Sequence, residues 1–195
     1  MTLADKLLHR QGTCPWWVCF TFDNPMRRKL QNPEKILQGL VKEGQTVYDI
    51  GCGMGYFSLT LARMVGKAGT VICVDLQKEM LSAAGRRAER AGLDDRIRLK
   101  QCSPQSLELD GIADFALAFW MVHEVPDKQR FLGEINRALK PGGTLLLVEP
   151  TILNHVTRQG FNATVATARS VGFEVVGEPN VRFSMAVLLR ATTPS

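Results

Sequence analysis

The 195-residue chain shows no secretory signal, because polar and basic residues interrupt the N-terminus before an apolar core can form. Nor does any apolar run approach membrane-spanning length. The expectation is a cytoplasmic protein with no membrane partner. Lysine and arginine outnumber aspartate and glutamate by 24 to 19, a net charge of +5. No lysine–arginine block with interleaved aromatics accompanies the excess, so it reads as a mildly basic, solvated surface and no nucleic-acid partner is expected. The five cysteines (14, 19, 52, 73 and 102) are an odd number spread through predicted strands and loops. That argues against a disulfide framework and for reduced thiols. Internal repeats and low-complexity linkers are also missing. What remains, 45% hydrophobic and 22% charged, is the composition of one globular domain able to bury a full core.

Residues 1–31 read as an N-terminal extension to a domain spanning 32–195. The extension carries Cys14-Pro15-Trp16-Trp17-Val18-Cys19-Phe20, then a turn and basic patch at Asp23–Arg28. Asn32-Pro33 predicts a helix start, with Ile36, Leu37, Leu40 and Val41 on one face and Gly44 as the stop. Strands and helices then alternate. Strands are predicted at Val47–Ile50, Thr70–Asp75, Ile97–Cys102, Ile112–Trp120 and Thr144–Glu149. Helices are predicted from Gly55 to about Gly66, from Lys78 to Ala91, from Asp127 to Leu139 and from Thr157 to Val171. Two antiparallel strands, Phe173–Val176 and Val181–Arg190, close the chain. The fold class expected is α/β, a doubly wound, mostly parallel seven-stranded sheet with an antiparallel C-terminal hairpin.

In such sheets ligands bind at the carboxyl ends of the strands, near the switch in strand order. The turn after the first strand reads Asp49-Ile50-Gly51-Cys52-Gly53-Met54-Gly55-Tyr56. A dinucleotide fingerprint requires a third glycine where Tyr56 stands. The carboxylate of Asp49 would repel a pyrophosphate and suit an ammonium or sulfonium group. Asp75, at the end of the second strand, suits the two hydroxyls of a ribose.

With these residues the chain resembles the class I S-adenosylmethionine-dependent methyltransferases, in the small-molecule branch that includes the quinone-biosynthesis C-methyltransferases. The resemblance covers about residues 33–190. It is carried by Val47–Gly55, Val74-Asp75-Leu76, Ala113-Asp114-Phe115 through Val122-His123-Glu124-Val125-Pro126-Asp127, and Leu139–Leu145. It implies S-adenosylmethionine as cofactor, S-adenosylhomocysteine as product and a small-molecule methyl acceptor. It places Asp49, Gly51, Cys52 and Gly53 on the methionine part, Asp75 on the ribose, Leu76 on the adenine and Phe119 close to the sulfonium. Where the family often has Gly-Asp-Ala after the third strand, this chain has Cys102-Ser103-Pro104. Ser103 accepts a hydrogen bond more weakly than a carboxylate would.

The donor is already activated, so in-line placement and exclusion of water supply much of the rate, and a base is needed only where the acceptor must lose a proton. His123 is the candidate base, against a structural role anchoring its loop. The Trp16-Trp17 segment is either an arm folded over the domain or a lid on the site. A metal or metalloid site at His9, Cys14 and Cys19 falls short of zinc's four ligands, and no metal is expected. Two rival functions stay open: a regulatory module that holds the cofactor without turnover, and an aminopropyl transferase, for which no extra carboxylate set is evident. A nucleic-acid methyltransferase is disfavoured, since Phe119-Trp120-Met121-Val122 lacks the Asn/Asp-Pro-Pro-aromatic motif for a flipped base.

Overall fold

The computed structural model describes residues 29–109, 111–151 and 156–192. The extension's His9, Cys14, Trp16, Trp17 and Cys19 lie outside the described residues. Seven strands form one sheet: β1 (Thr46–Ile50), β2 (Thr70–Asp75), β3 (Ile97–Gln101), β4 (Ala113–Phe119), β5 (Leu139–Pro150), β6 (Phe173–Gly177) and β7 (Ser184–Ala191). Their order is β3-β2-β1-β4-β5-β7-β6. β1 to β5 pair in parallel, and β7 runs antiparallel between β5 and β6. Order reverses between β1 and β4, which opens a crevice at their carboxyl ends.

The helices are α1 (Pro33–Leu37), α2 (Ser58–Val65), α3 (Lys78–Ala91), α4 (Lys128–Ala138) and α5 (Arg158–Ser170). Because both faces of the sheet are covered, its central strands are apolar almost throughout rather than alternating. One core lies against α4 and α5, built on Phe131, Leu132, Ile135 and Phe161. The other lies against α1, α2 and α3, built on Leu37, Leu61, Val65 and Leu81.

Local signals act where the sequence places them. Asn32 caps α1 by accepting from the Glu34 and Lys35 amides, Asp127 caps α4 and Thr157 caps α5. Gly92 ends α3 in the left-handed conformation. Among the boundaries that differ from expectation, three have a clear local cause. The first helix stops at Leu37, because Gln38 turns extended, although Val41 is still buried. β5 begins five residues early, at Leu139, with Lys140–Gly143 bulged between Ala113 and Phe115 of β4. β7 begins three residues late, since Phe183 sits at φ 59° just before it.

The resemblance motif Ala113-Asp114-Phe115 has a scaffold role. Asp114 accepts from the Thr46 amide at 2.9 Å and from Lys140 Nζ at 2.6 Å. These contacts tie the starts of β1, β4 and β5 at the end of the sheet opposite the crevice.

Candidate active site

β1 delivers Asp49 to the crevice, and the chain reverses through Gly51 and Gly53 into α2. Asp49 is buried, and its Oδ2 accepts from Ser58 Oγ at 2.5 Å. Burial pushes its carboxyl up to about 7; the Ser58 bond partly opposes this and the charge of Asp75 adds to it. A carboxylate held this far from water gains strongly from an incoming cation. Gly53 has φ 54°, and a side chain added there would meet nothing within 4 Å, so the backbone bounds open space. Gly51, at φ 68°, is different: an added Cβ would fall 2.8 Å from Met121 Cγ. Any larger residue there is strained and collides.

Asp75 closes the other side of this loop. Its Oδ2 accepts from the Gly53 amide and its Oδ1 from the Gln77 amide, both at 2.9 Å. Burial raises its carboxyl above the usual range, with the Gln77, Gly53 and Leu76 amides opposing. Two backbone bonds leave roughly two of a carboxylate's four acceptor positions for a diol. Leu76 follows at the strand end, its carbonyl held by Gln101 Nε2 at 3.2 Å. The Cys102 amide donates to the Asp75 carbonyl, which brings β3's end to the same place. Cys102 is a poor nucleophile: burial, with the charge of Asp75, pushes its thiol up to about 11. Ser103 turns inward on its own loop, accepting from the Ser106 amide at 3.1 Å and donating to the Ser106 carbonyl at 3.3 Å.

Asp49, Gly51, Cys52, Gly53, Asp75, Leu76, Cys102 and Ser103 therefore gather at the carboxyl ends of β1, β2 and β3. The cradle fits the donor on its chemistry: a buried anion for an ammonium or sulfonium, spare acceptor capacity for a diol, and a glycine backbone bounding open space.

Across the switch point the walls are aromatic. Phe119 ends β4, and its ring stacks on Phe57 at 4.4 Å between centroids and on Trp120 at 5.6 Å. The ring also belongs to the core under α1 and α2. Trp120 holds a left-handed φ of 59°, uncommon for a bulky residue, and its Nε1 donates to Ser184 Oγ at 2.9 Å. Tyr56 donates to the Gln31 carbonyl, and Gln31 Nε2 donates to the Arg182 carbonyl. One residue thus bridges the glycine loop and the β6–β7 hairpin.

His123 lies in a 3-10 turn (Val122–Glu124) just past β4. Its Nδ1 is 2.5 Å from Oε2 of Glu149, which ends β5 and is 2% exposed. Among the described residues, Oε1 of Glu149 is buried with no hydrogen-bond partner. Burial pushes the imidazole down, but the hydrogen bond and charge of Glu149, with the charge of Glu124, outweigh it and leave the value raised. Three residues of this half escaped sequence reading: Glu149, Ser184 and Met121. Each is distant in sequence from its partner, and a glutamate ending an apolar strand was the only visible signal.

The methyltransferase domain family matches residues 41–175 of the chain. The ubiquinone/menaquinone biosynthesis C-methyltransferase of Haemophilus ducreyi is 33% identical over 110 residues, 56% of this chain and 42% of that protein. The demethylmenaquinone methyltransferase of Lactobacillus johnsonii is 34% identical over 110 residues, 56% of this chain and 45% of that protein. The chain therefore spans less than half the length of these curated relatives. The crystal structure of a SAM-dependent methyltransferase from Aquifex aeolicus superposes with a TM-score of 0.83 at 25% identity, covering 92% of this chain and all of that one. With its fold and a family match over most of its length, the chain belongs to the class I S-adenosylmethionine-dependent methyltransferases.

Proposed function

We propose that the chain is an enzyme that methylates a small molecule whose attacking atom gives up a proton, with His123 as the base that takes it. The observation that carries this reading is the His123–Glu149 pair at the carboxyl ends of β4 and β5. A histidine buried against a carboxylate is held in one orientation, and a raised imidazole value makes it the stronger base. When bound, S-adenosylmethionine supplies a methyl group on a positively charged sulfur, which needs no further activation.

The chain's own residues then have separate tasks. Asp49 would hold the cofactor's ammonium group, with Gly51, Cys52 and Gly53 giving it backbone access. Asp75 would hold the ribose hydroxyls, and Leu76, Cys102 and Ser103 would border the adenine. Phe57, Phe119 and Trp120 keep water from that side of the crevice. Glu149 orients His123 through Nδ1, which makes Nε2 the nitrogen that receives the acceptor's proton. The two curated relatives are named as quinone-pathway methyltransferases, one of them a C-methyltransferase. Carbon methylation of an electron-rich ring also releases a proton, so an aromatic acceptor is in keeping with such a base.

The test has two steps. Titration calorimetry should show S-adenosylhomocysteine binding to the intact chain; no binding would sink the methyl-donor reading. His123→Ala should then cut turnover by about 10²- to 10⁴-fold at unchanged S-adenosylhomocysteine affinity. Turnover should rise with pH through a midpoint above the usual histidine value of 6.5, because the unprotonated imidazole is the active form. Glu149→Gln should move that midpoint down, a shift that a purely structural role would not produce. Unchanged turnover in His123→Ala would rule out the base.

A further inference from the structure

A cavity of 510 Å³ lies between α5 and the β6–β7 hairpin, outside the donor cradle. On α5 it is lined by Arg158, Phe161, Asn162, Val165 and Arg169. Arg158, Phe161 or Asn162, Val165 and Arg169 follow one another at three- or four-residue steps, so they form one stripe along the helix. The facing wall includes Val175 of β6 with Met185 and Val187 of β7. Met185 and Val187 are two residues apart and point to the same face of the sheet. Phe161, Val165, Met185 and Val187 thus form an apolar strip along the floor of the groove, bordered by the polar Asn162, Asn180 and Ser184, with an arginine towards each end.

The charges are unevenly distributed. β6 runs parallel to β5, so Glu178, just past β6, lies at the carboxyl end of the sheet. Arg158, at the start of α5, lies at that same end and is partly offset by Glu178. Arg169 is eleven residues further along the helix, about 16 Å away. Glu174 is on the other side of β6 from Val175 and pairs with Arg190 at 3.1 Å, so it does not neutralise Arg169. Among the described residues no hydrogen bond or ion pair engages the side chains of Arg158, Arg169 or Glu178. An apolar trough with an uncompensated guanidinium at its far end matches a molecule with an apolar body and one acidic group.

The near end of the groove borders residues that touch the aromatic half of the crevice. Ser184, which receives the Trp120 hydrogen bond, is one of its lining residues. Met185 is the cross-strand neighbour of Glu149. Resting on the methyl-transfer reading above, we propose that this groove seats the methyl acceptor, which is an anionic amphipathic small molecule. Its acidic group pairs with Arg169, its apolar body lies on Phe161, Val165, Met185 and Val187, and its opposite end meets His123 and Glu149.

Dodecanoate serves as the probe, titrated below its micellar concentration into the intact chain saturated with S-adenosylhomocysteine. One equivalent should bind. Arg169→Gln should weaken it about tenfold through loss of a charge-assisted bond, and Val165→Trp should abolish it by filling the trough. Arg169 is exposed, so that variant keeps the test usable if the tryptophan variant does not fold. A dodecanoate with a diazirine at its methyl end should label the Trp120–His123 segment or Ser184. Absence of uptake, equal uptake by parent and Arg169→Gln, or labelling confined to the Arg169 end would overturn the proposal. The titration is repeated without S-adenosylhomocysteine, so a failure of the donor reading is seen separately from a failure of the groove.

Discussion

The two halves of the crevice are built from different materials. On the side of β1, β2 and β3 the working groups are carboxylates and backbone amides, joined by contacts between residues close in the chain. Ser58 reaches Asp49 across nine residues, Gly53 reaches Asp75 across 22 and Gln77 reaches Asp75 across two. On the side of β4, β5 and β7 the groups are aromatic rings and a histidine–glutamate pair, joined over longer separations. His123 and Glu149 are 26 residues apart, Trp120 and Ser184 are 64, and Gln31 and Arg182 are 151. The first half is a turn that carries its own ligand groups. The second exists only once strands distant in sequence have docked. On the proposed assignment, one fold can keep a constant donor site while the acceptor site varies, because substitutions in the second half leave the first half's local bonds intact.

Three measurements would break or sharpen this contrast. The largest effect is expected on the donor side. Asp75→Ala removes the diol's acceptor and the partner of the Gly53 amide, so S-adenosylhomocysteine affinity should fall about a hundredfold or more, at 1.5–3 kcal/mol for each lost charged hydrogen bond. Calorimetry reads this directly, and a change under threefold would remove Asp75 from the ribose role.

Asp49 should show the cost of that half. Its folded value of about 7 lies above the ordinary 3.8, so the folded chain retains a proton that the unfolded chain releases between those values. The associated stability is present in acid and is lost as pH rises through about 7. Asp49→Asn should accordingly be more stable than the parent at pH 8, by up to about 4 kcal/mol, with little difference at pH 4, and it should weaken S-adenosylhomocysteine binding. Denaturant unfolding at the two pH values checks it; a variant less stable at pH 8 would contradict the assignment of burial as the main cause.

The smallest effect belongs to the aromatic half. Trp120→Phe keeps the apolar ring but loses the donor to Ser184, so stability should fall by about 1 kcal/mol with unchanged S-adenosylhomocysteine affinity. A loss of donor affinity there would show that the two halves are coupled after all.

Much of the proposed donor site was gathered from sequence because its residues sit at short spacings. Asp49 before the glycines, Tyr56 in place of a third glycine and Asp75 at the next strand end each carry meaning within one strand–turn–helix unit. The caps at Asn32, Asp127 and Thr157 and the stop at Gly92 are local in the same sense. Expectation slipped where a local signal was overruled by its neighbours. Ile36, Leu37, Leu40 and Val41 have helical spacing, yet burial of Val41 is achieved through a turn after Leu37. Lys140-Pro141-Gly142-Gly143 reads as a loop, yet it forms a bulge against β4.

His123 shows where sequence reading ends. Its position past β4 placed it at the right end of the sheet, but its partner followed from the β4–β5 register, which pairs Phe119 with Val148. That register leaves Glu149 beside the turn. The groove under α5 is the same kind of feature, since Arg169, Val175 and Met185 meet only through the order β5-β7-β6. The sequence by itself determined the sheet's class, the glycine turn after β1 and the helix caps at Asn32, Asp127, Thr157 and Gly92, because each is settled by backbone geometry and hydrogen bonds within a few residues. The tertiary structure alone decided which carboxylate orients the histidine and what lies beside it, because strand pairing brings distant residues within contact range and no local spacing encodes which ones.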